Sequence, residues 1–472
     1  MSSSGSAKQQ PHALIFPFPA QGHINPMMQL AMRLLDEGFF ITFVNTDHNH
    51  DRMFPKPAAD NVAHFSISPN LRFEHIPDGL PDLHQRLNEQ PNGVVETVAA
   101  TLALPGPLAK LVRHILNSNE SPPLTCILAD ACCTWIQDVA DQFHIPRVSL
   151  WTTPVHASIA YTFQSTLQSL GIIPVKDQSK LQEVVHCIQG ITPMKLEDYI
   201  SFFLVDSTTD FMFQWFLRLS LKRPLEAAWN LDVRHGNPHN MESTSIRSMW
   251  PEDRTCKDWL SEHEKASVIY IAFGSVVNMP EEEVGELIQG LEESGAPFLW
   301  AVRPDQCGAA LSRLREKLDS EAVQGKPSSQ GMLVSWVLQL AVLTHPSVGL
   351  FVSHCGWNSV IESVAGGVPI LVKTPGFAEQ SMNAHYIADV WKIGHRLSNG
   401  ASASDIKLLI SSLVGDSEEA ASMQGRLSAL RQKALATVCQ GGSSMSNFKL
   451  FIDDMYRRAA AEAAAAAKQE HL

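Results

Sequence analysis

Short apolar runs alternate with amphipathic stretches through the first third of the chain. "ALIFPF" (13–18) leads into "NPMMQLAMRLLDEG" and then "FFITFVNT" (39–46). "LRFEHIP", "CILAD" (126–130) and "RVSLW" (147–151) follow, separated by helical patterns. Continuous apolar runs of this length are strands buried on both faces, and their alternation with helices predicts a parallel, doubly wound α/β sheet. The pattern resumes after residue 265 with "SVIYIAFGS", "PEEEVGELIQGLEESG", "FLWAVR", "GMLVSW", "VGLFVSH" and "PILVKT". Between the two series lies a polar stretch with Pro and Asn, "RHGNPHNMESTSIRSMWPEDR" (234–254). The pattern therefore predicts an N-terminal α/β unit over 1–235, a linker over 236–262, a second α/β unit over 263–456 and an Ala-rich tail over 457–472, helical or frayed.

Composition narrows the class. The 472 residues are 44% hydrophobic and 18% charged, ample material for two globular cores, and the formal net charge is −13. Such an acidic balance argues against nucleic acid or an anionic membrane as partner, since both select basic patches. It leaves room for a phosphate ligand, because charge effects fade beyond about 8 Å at physiological salt. The eight cysteines show no CxxC spacing, the N-terminal stretch is polar, and no run approaches a membrane span. The expectation is a soluble, cytoplasmic protein with reduced thiols and no stable membrane insertion.

Several common motifs are missing. No GxGxxG follows a strand, and GxxxxGK[ST], HExxH, GxSxG and Asp-x-Asp do not occur. "DHNHD" (47–51) has the composition of a metal cluster, but after a predicted strand it reads first as a solvated turn.

Two residues with chemistry stand at predicted strand ends of the first unit. "FPFPAQGHINPMMQL" places His23 after the first strand, with Asn25 as helix N-cap, Pro26 at the first helical position and Gly38 at the far end. Asp130 closes "TCILAD". Ligands of open α/β sheets sit at this carboxyl edge. Each residue has an ordinary role, capping or packing its turn. The alternative is a general base, His23, with Asp130 fixing its tautomer and stabilising its cation, aimed into the cleft between the two units.

The second unit holds "WVLQLAVLTHPSVGLFVSHCGWNSVIESVAGGVPILVKTPGFAEQ" (336–380). A helix starting near Trp357 would aim its unpaired backbone N–H groups and the positive end of its dipole at the preceding turn. His354, Asn358 and Ser359 add donors there, and Gly356 lets backbone approach closely; together these are the elements of a phosphate cradle. Glu362, three residues after Ser359, fits either a capping box or the hydroxyls of a ribose. Trp336 and Gln339, at the end of the preceding strand, suit a planar base. Cys355 has no ligand-spaced partner and reads as a buried filler.

This stretch resembles the signature box of plant family 1 UDP-dependent glycosyltransferases, W-x-P-Q…H…HCGWNS…E…GVP…(D/E)Q. "FPFPAQGHINP" resembles their N-terminal catalytic motif, and "MWPEDRTCKDWL…SVIYIAFGS" and "GGSSMSNF" resemble their C-terminal half. The resemblance spans most of residues 12–456. It implies a GT-B fold, two facing Rossmann-like domains with parallel β-sheets. It further implies that Trp336 stacks on uracil with Val337 beside it, and that Gln339 and Glu362 hold the ribose. His354, Gly356, Asn358 and Ser359 would bind the diphosphate with Ser275, and Trp357, Glu379 and Gln380 would meet the sugar. His23 would be the base and Asp130 its partner. UDP-glucose would be the donor substrate, with no cofactor or metal, a small lipophilic acceptor and a monomeric enzyme. The implied reaction is a direct displacement that inverts the anomeric centre, with UDP leaving.

The chain departs from the pattern in three places. Leu338 stands where the family has Pro, and the segment from Pro369 to Gln380 is one residue longer near Lys373. Around 215–245 neither the family's strand nor its Gly-Pro turn is visible, so a strand missing from the first domain is expected. That loss keeps a second reading open, a non-catalytic protein that binds a UDP-sugar or small molecule. A third is another GT-B enzyme such as a sugar-nucleotide epimerase. Aromatic stretches at 150–171 and 201–216 fit walls for a phenolic, flavonoid or terpenoid acceptor.

Overall fold

The computed structural model describes residues 9–54, 68–81, 91–221, 253, 255–274, 279–303, 308–322, 328–374, 376–415 and 417–470. The chain divides into two compact units, one formed by 1–152 with 221–249 and 435–472, the other by 153–220 with 250–434.

In the first unit, strands β1 (His12–Phe16), β2 (Phe40–Thr46), β3 (Leu71–Ile76), β4 (Leu124–Asp130) and β5 (Arg147–Leu150) form one sheet in the order β3-β2-β1-β4-β5. Every pairing is parallel. β1, β2 and β4 are buried along their whole length, which is why they read as unbroken apolar runs. The order reverses between β1 and β4, so the chain leaves these two neighbours in opposite directions and opens a crevice at their carboxyl ends. β1 leads to His23 and β4 ends on Asp130.

The second unit carries a small antiparallel hairpin, β6 (Val184–Val185) with β7 (Met194–Lys195). Its main sheet consists of β8 (Val268–Ala272), β9 (Phe298–Ala301), β10 (Gly331–Val334), β11 (Val348–Ser353), β12 (Ile370–Val372) and β13 (Gly394–Arg396). All pairings are parallel, in the order β10-β9-β8-β11-β12-β13. One face packs Tyr270, Phe351 and Ile370 against the helix Trp357–Gly366; the other packs Ile271, Val352 and Leu371 against the helices Glu281–Ser294 and Ala403–Leu413. Fully burying one such aliphatic or aromatic side chain is worth about 1.5–3 kcal/mol. Here the order reverses between β8 and β11.

The structure departs from the sequence expectation at several points. Residues 153–220 group with the second unit, not the first. Polar ties hold them there, among them Arg396 Nη1 to Asp198 Oδ1 at 2.6 Å. The C-terminal helix Ser443–Glu470 groups with the first unit, where Phe451 stacks on Phe39 at 6.4 Å and Tyr456 Oη donates to the Glu37 carbonyl at 2.8 Å. "DHNHD" lies in a helix, Asp47–Met53, and not in a turn. β13 carries "GHR", which has no apolar run to announce it. Residues 211–221 are helical, and the remainder of the 215–245 segment, where a strand was expected to be missing, lies outside the described residues.

Candidate active site

The helix after β1 begins at Gln21, not at Pro26. Ala20 is its N-cap, and the Ala20 carbonyl accepts from the backbone N–H groups of both His23 and Ile24 at 2.9 Å. The first turn is thus closed before Pro26 withholds its N–H. Asn25 accepts a side-chain bond from Gln21 at 2.6 Å and caps nothing. Gly38 has the expected place past the far end, at φ +85°. His23 therefore projects from the first turn, at the reversal point of the sheet.

His23 Nδ1 lies 2.7 Å from Asp130 Oδ2 and 3.0 Å from Thr152 Oγ1. The side chain of Asp130 is 1% exposed, that of His23 23%. Asp130 Oδ1 accepts from the backbone N–H of Cys132 at 2.8 Å, so one oxygen bonds the turn and the other the imidazole. A buried carboxylate on Nδ1 assigns the neutral tautomer with its proton there, which makes Nε2 the basic nitrogen. Asp130 thus bonds its own turn and the His23 imidazole at the same time.

At the equivalent edge of the second sheet, the helix Trp357–Gly366 starts directly after β11 with Gly356 as N-cap, and no side chain caps it. Its first backbone N–H groups carry the partial positive charge of the helix end. His354 is 9% exposed and its ring is wedged between two glycines. A Cβ on Gly274 would fall 2.7 Å from His354 Cε1 and Nε2, and one on Gly356 would fall 2.6 Å from Nε2. Burial lowers the His354 pKa to about 4, against the pull of the Ala272 carbonyl and with help from Arg303, so the ring is neutral near pH 7. Its Nδ1 is buried without a well-formed hydrogen bond among the described residues. Ser275, the next residue after Gly274, lies outside the described residues.

Gln339 is the first residue of a short helix, Gln339–Leu343, and Trp336 lies between β10 and that helix; neither ends the strand as expected. Gln339 Nε2 donates to Ser359 Oγ at 3.0 Å and Glu362 Oε2 at 2.7 Å, and Gln339 Oε1 accepts from Tyr270 Oη at 3.2 Å. Glu362 thus faces Gln339, and no capping box forms with Ser359. Val337 is buried in the core below. Trp357 is half-buried at the helix start, beside Asn358. Glu379 N-caps the helix Gln380–His385, and Gln380 Oε1 is buried with no partner among the described residues.

Besides Thr152, four functional candidates escaped the sequence reading. Arg303 is 2% exposed and donates to the Gly274 carbonyl at 3.1 Å. Its charge at the end of "FLWAVR" was the available signal. Gly274 itself, at φ +72°, sits inside the quoted "FGS". Asn383 donates to the Cys355 carbonyl at 2.9 Å and binds His156 Nε2 at 2.9 Å. Those bonds brace Cys355, which is fully buried at φ +64°, so the expected filler also holds the bend that aims the helix. Asn383 and His156 lie 227 positions apart, a pairing no local pattern reveals.

A family model described as UDP-glucoronosyl and UDP-glucosyl transferase matches residues 226–432. Linamarin synthase 1 of Manihot esculenta is 34% identical to this chain, over 95% of the chain and 98% of that protein. The chain belongs to the plant UDP-glycosyltransferases. The (R)-mandelonitrile beta-glucosyltransferase of Prunus dulcis is 33% identical to this glycosyltransferase, over 91% of the chain and 94% of that protein. Among solved structures, a UDP-glucose:anthocyanidin 3-O-glucosyltransferase in complex with UDP matches it at a TM-score of 0.73 and 23% identity, covering 95% of this chain and 99% of the other. That likeness gives the glycosyltransferase its fold, GT-B, with two Rossmann-like domains built on the two parallel sheets described above.

Proposed function

We propose that this chain transfers glucose from UDP-glucose to a hydroxyl of a small lipophilic acceptor, with inversion at the anomeric carbon. The observation that carries this is the pair of His23 Nδ1 and Asp130 Oδ2 at 2.7 Å, on a sheet reversal point in a chain whose other sheet reverses at a helix start. His23 Nε2 takes the acceptor proton as the oxygen attacks, and Asp130 and Thr152 hold the ring while it becomes a cation. A protein that only bound a UDP-sugar would have no need of a buried carboxylate aligned on a partly exposed imidazole.

The donor would lie along the second sheet. Trp336 and Val337 would take uracil; Gln339 and Glu362, already bonded to each other, would present their remaining valences to the ribose. The diphosphate would meet the first turn of the helix Trp357–Gly366, Asn358, Ser359 and His354, whose neutral ring adds no charge; Ser275, also expected there, lies outside the described residues. Such donors stabilise charge as it develops on departing UDP, a contribution of several kcal/mol in comparable sites. Trp357, Glu379 and Gln380 would meet the hexose. This donor set takes the role of a metal clamp in the reading, so chelators should leave turnover unchanged. The seven described cysteines are all free thiols, in keeping with a cytoplasmic enzyme, which we take to work as a monomer. No single helix among the described residues is long and apolar enough to cross a membrane.

The test is product analysis. Incubation with UDP-glucose and a panel of phenols, flavonoids, terpenoid alcohols and cyanohydrins should yield a β-glucoside and one UDP per glucoside. An α-glucoside would refute the single-displacement geometry. Tight UDP-glucose binding without transfer to any panel member would favour a binding protein.

A further inference from the structure

The segment between Pro369 and Gln380 leads to two residues proposed above to meet the hexose, Glu379 and Gln380, so the contacts along it set where they sit. Two anchors decide it. At the start, Lys373 is buried, its backbone N–H bonds the Ser353 carbonyl at 2.9 Å, and its Nζ pairs with Glu283 Oε2 at 2.9 Å. At the end, Ser201 grips the turn through two bonds. The Ser201 N–H donates to the Ala378 carbonyl at 2.9 Å, and the Ala378 N–H donates to Ser201 Oγ at 2.8 Å. Ala378 is held at φ +52°, a left-handed conformation that alanine adopts only under constraint. Beside the grip, Phe202 meets the Phe377 ring edge-on at 5.6 Å and stacks on Phe216 at 4.7 Å. Gln380, two residues past the clamped Ala378, is 6% exposed and its Oε1 is buried with no partner among the described residues. An amide oxygen placed this way awaits a donor such as a hexose hydroxyl.

We propose that Ser201 is a positioning residue for the donor sugar: its hydroxyl fixes the left-handed bend at Ala378, and this sets the register that presents Gln380 to the hexose of UDP-glucose. This rests on the reading of Gln380 as a sugar ligand. Both bonds of Ser201 go to the Ala378 backbone, on the segment that leads to the proposed sugar ligand Gln380, so its effect is expected on the hexose and not on UDP.

The experiment uses the full chain with Ser201→Ala, Ser201→Thr and Gln380→Ala. It measures kcat/KM for UDP-glucose beside the dissociation constant of UDP, which lacks the hexose. Losing one neutral hydrogen bond that orders a ligand should lower kcat/KM for UDP-glucose about five- to tenfold in Ser201→Ala. UDP affinity should stay within about twofold of wild type, and Ser201→Thr, which keeps the hydroxyl, should restore most of the loss. Equal losses toward UDP and UDP-glucose in Ser201→Ala would mean general damage and overturn the proposal; so would wild-type kinetics. The Gln380→Ala arm separates the two assignments. If it impairs UDP-glucose use while Ser201→Ala does not, the clamp fails and the sugar site stands. If Gln380→Ala is itself silent, the sugar assignment fails and the clamp with it.

Discussion

Replacing Asp130 by Asn probes the dyad more sharply than deleting it. Asp130 Oδ1 accepts from the Cys132 N–H at 2.8 Å, a bond the amide oxygen of Asp130→Asn can keep. Keeping it turns the new NH2 group toward His23 Nδ1, which must then accept. The imidazole proton moves to Nε2, and the base is blocked. The substitution also removes the charge that stabilises the imidazolium. At about 4 Å between charge centres and an effective dielectric near 20, that attraction is about 4 kcal/mol, and partial exposure of His23 trims it. Each 1.36 kcal/mol is a factor of ten in rate, so blocked tautomer and lost charge together should lower kcat about 10²- to 10³-fold, within the usual range for general-base catalysis. Asp130→Ala removes the forced tautomer and leaves Thr152 Oγ1 beside Nδ1, so it should be no slower than Asp130→Asn. UDP release at saturating UDP-glucose and acceptor measures both, with UDP binding as the control for folding. An Asp130→Asn enzyme retaining more than about a third of wild-type kcat would refute the tautomer reasoning.

Two further outcomes follow from the same geometry. Gly274→Ala places a Cβ 2.7 Å from the His354 ring at a backbone φ of +72°, so the edge proposed to bind the diphosphate must deform. Left-handed backbone alone costs about 1–2 kcal/mol, and UDP affinity by calorimetry should fall at least about tenfold; a change within about twofold would contradict the assignment of this edge. His12, His156 and His354 each have a pKa lowered to about 4, mainly by burial. Between pH 4 and 6.5 the unfolded chain binds more protons at these sites than the folded one, so stability falls as pH drops through that window, by about 1.4 kcal/mol per unit for each histidine. Thermal melting should give a Tm that declines steadily from pH 6.5 toward 4, and a flat profile there would contradict the buried neutral rings.

Most of the sheet framework was legible because parallel strands covered on both faces must be apolar throughout, as β1, β2, β4 and β8 are. His23 and Asp130 were legible as strand-end polar residues. Their contact, 107 positions apart, follows from β1 and β4 being neighbours at the sheet's reversal. The helix start was misplaced at Asn25 because the capping pattern there is local, while the structure closes the turn on the Ala20 carbonyl. The braces were hidden for another reason. Asn383, His156 and Ser201 act through contacts across about 30 to 230 positions, and their own neighbourhoods look like ordinary helix or loop. The domain assignment of 153–220 and of the C-terminal helix likewise depends on long-range contacts such as those of Arg396 and Phe451, which composition does not carry.

The central claim is that His23 is the base of a UDP-glucose-dependent transfer, and His23→Ala tests it most directly. Initial rates of UDP release from UDP-glucose, with an acceptor the wild-type enzyme glucosylates, should fall at least about 10²-fold in the variant. UDP affinity should remain within about twofold, since the edge proposed for the donor belongs to the other sheet. Equal turnover in the variant and the wild type would contradict the account.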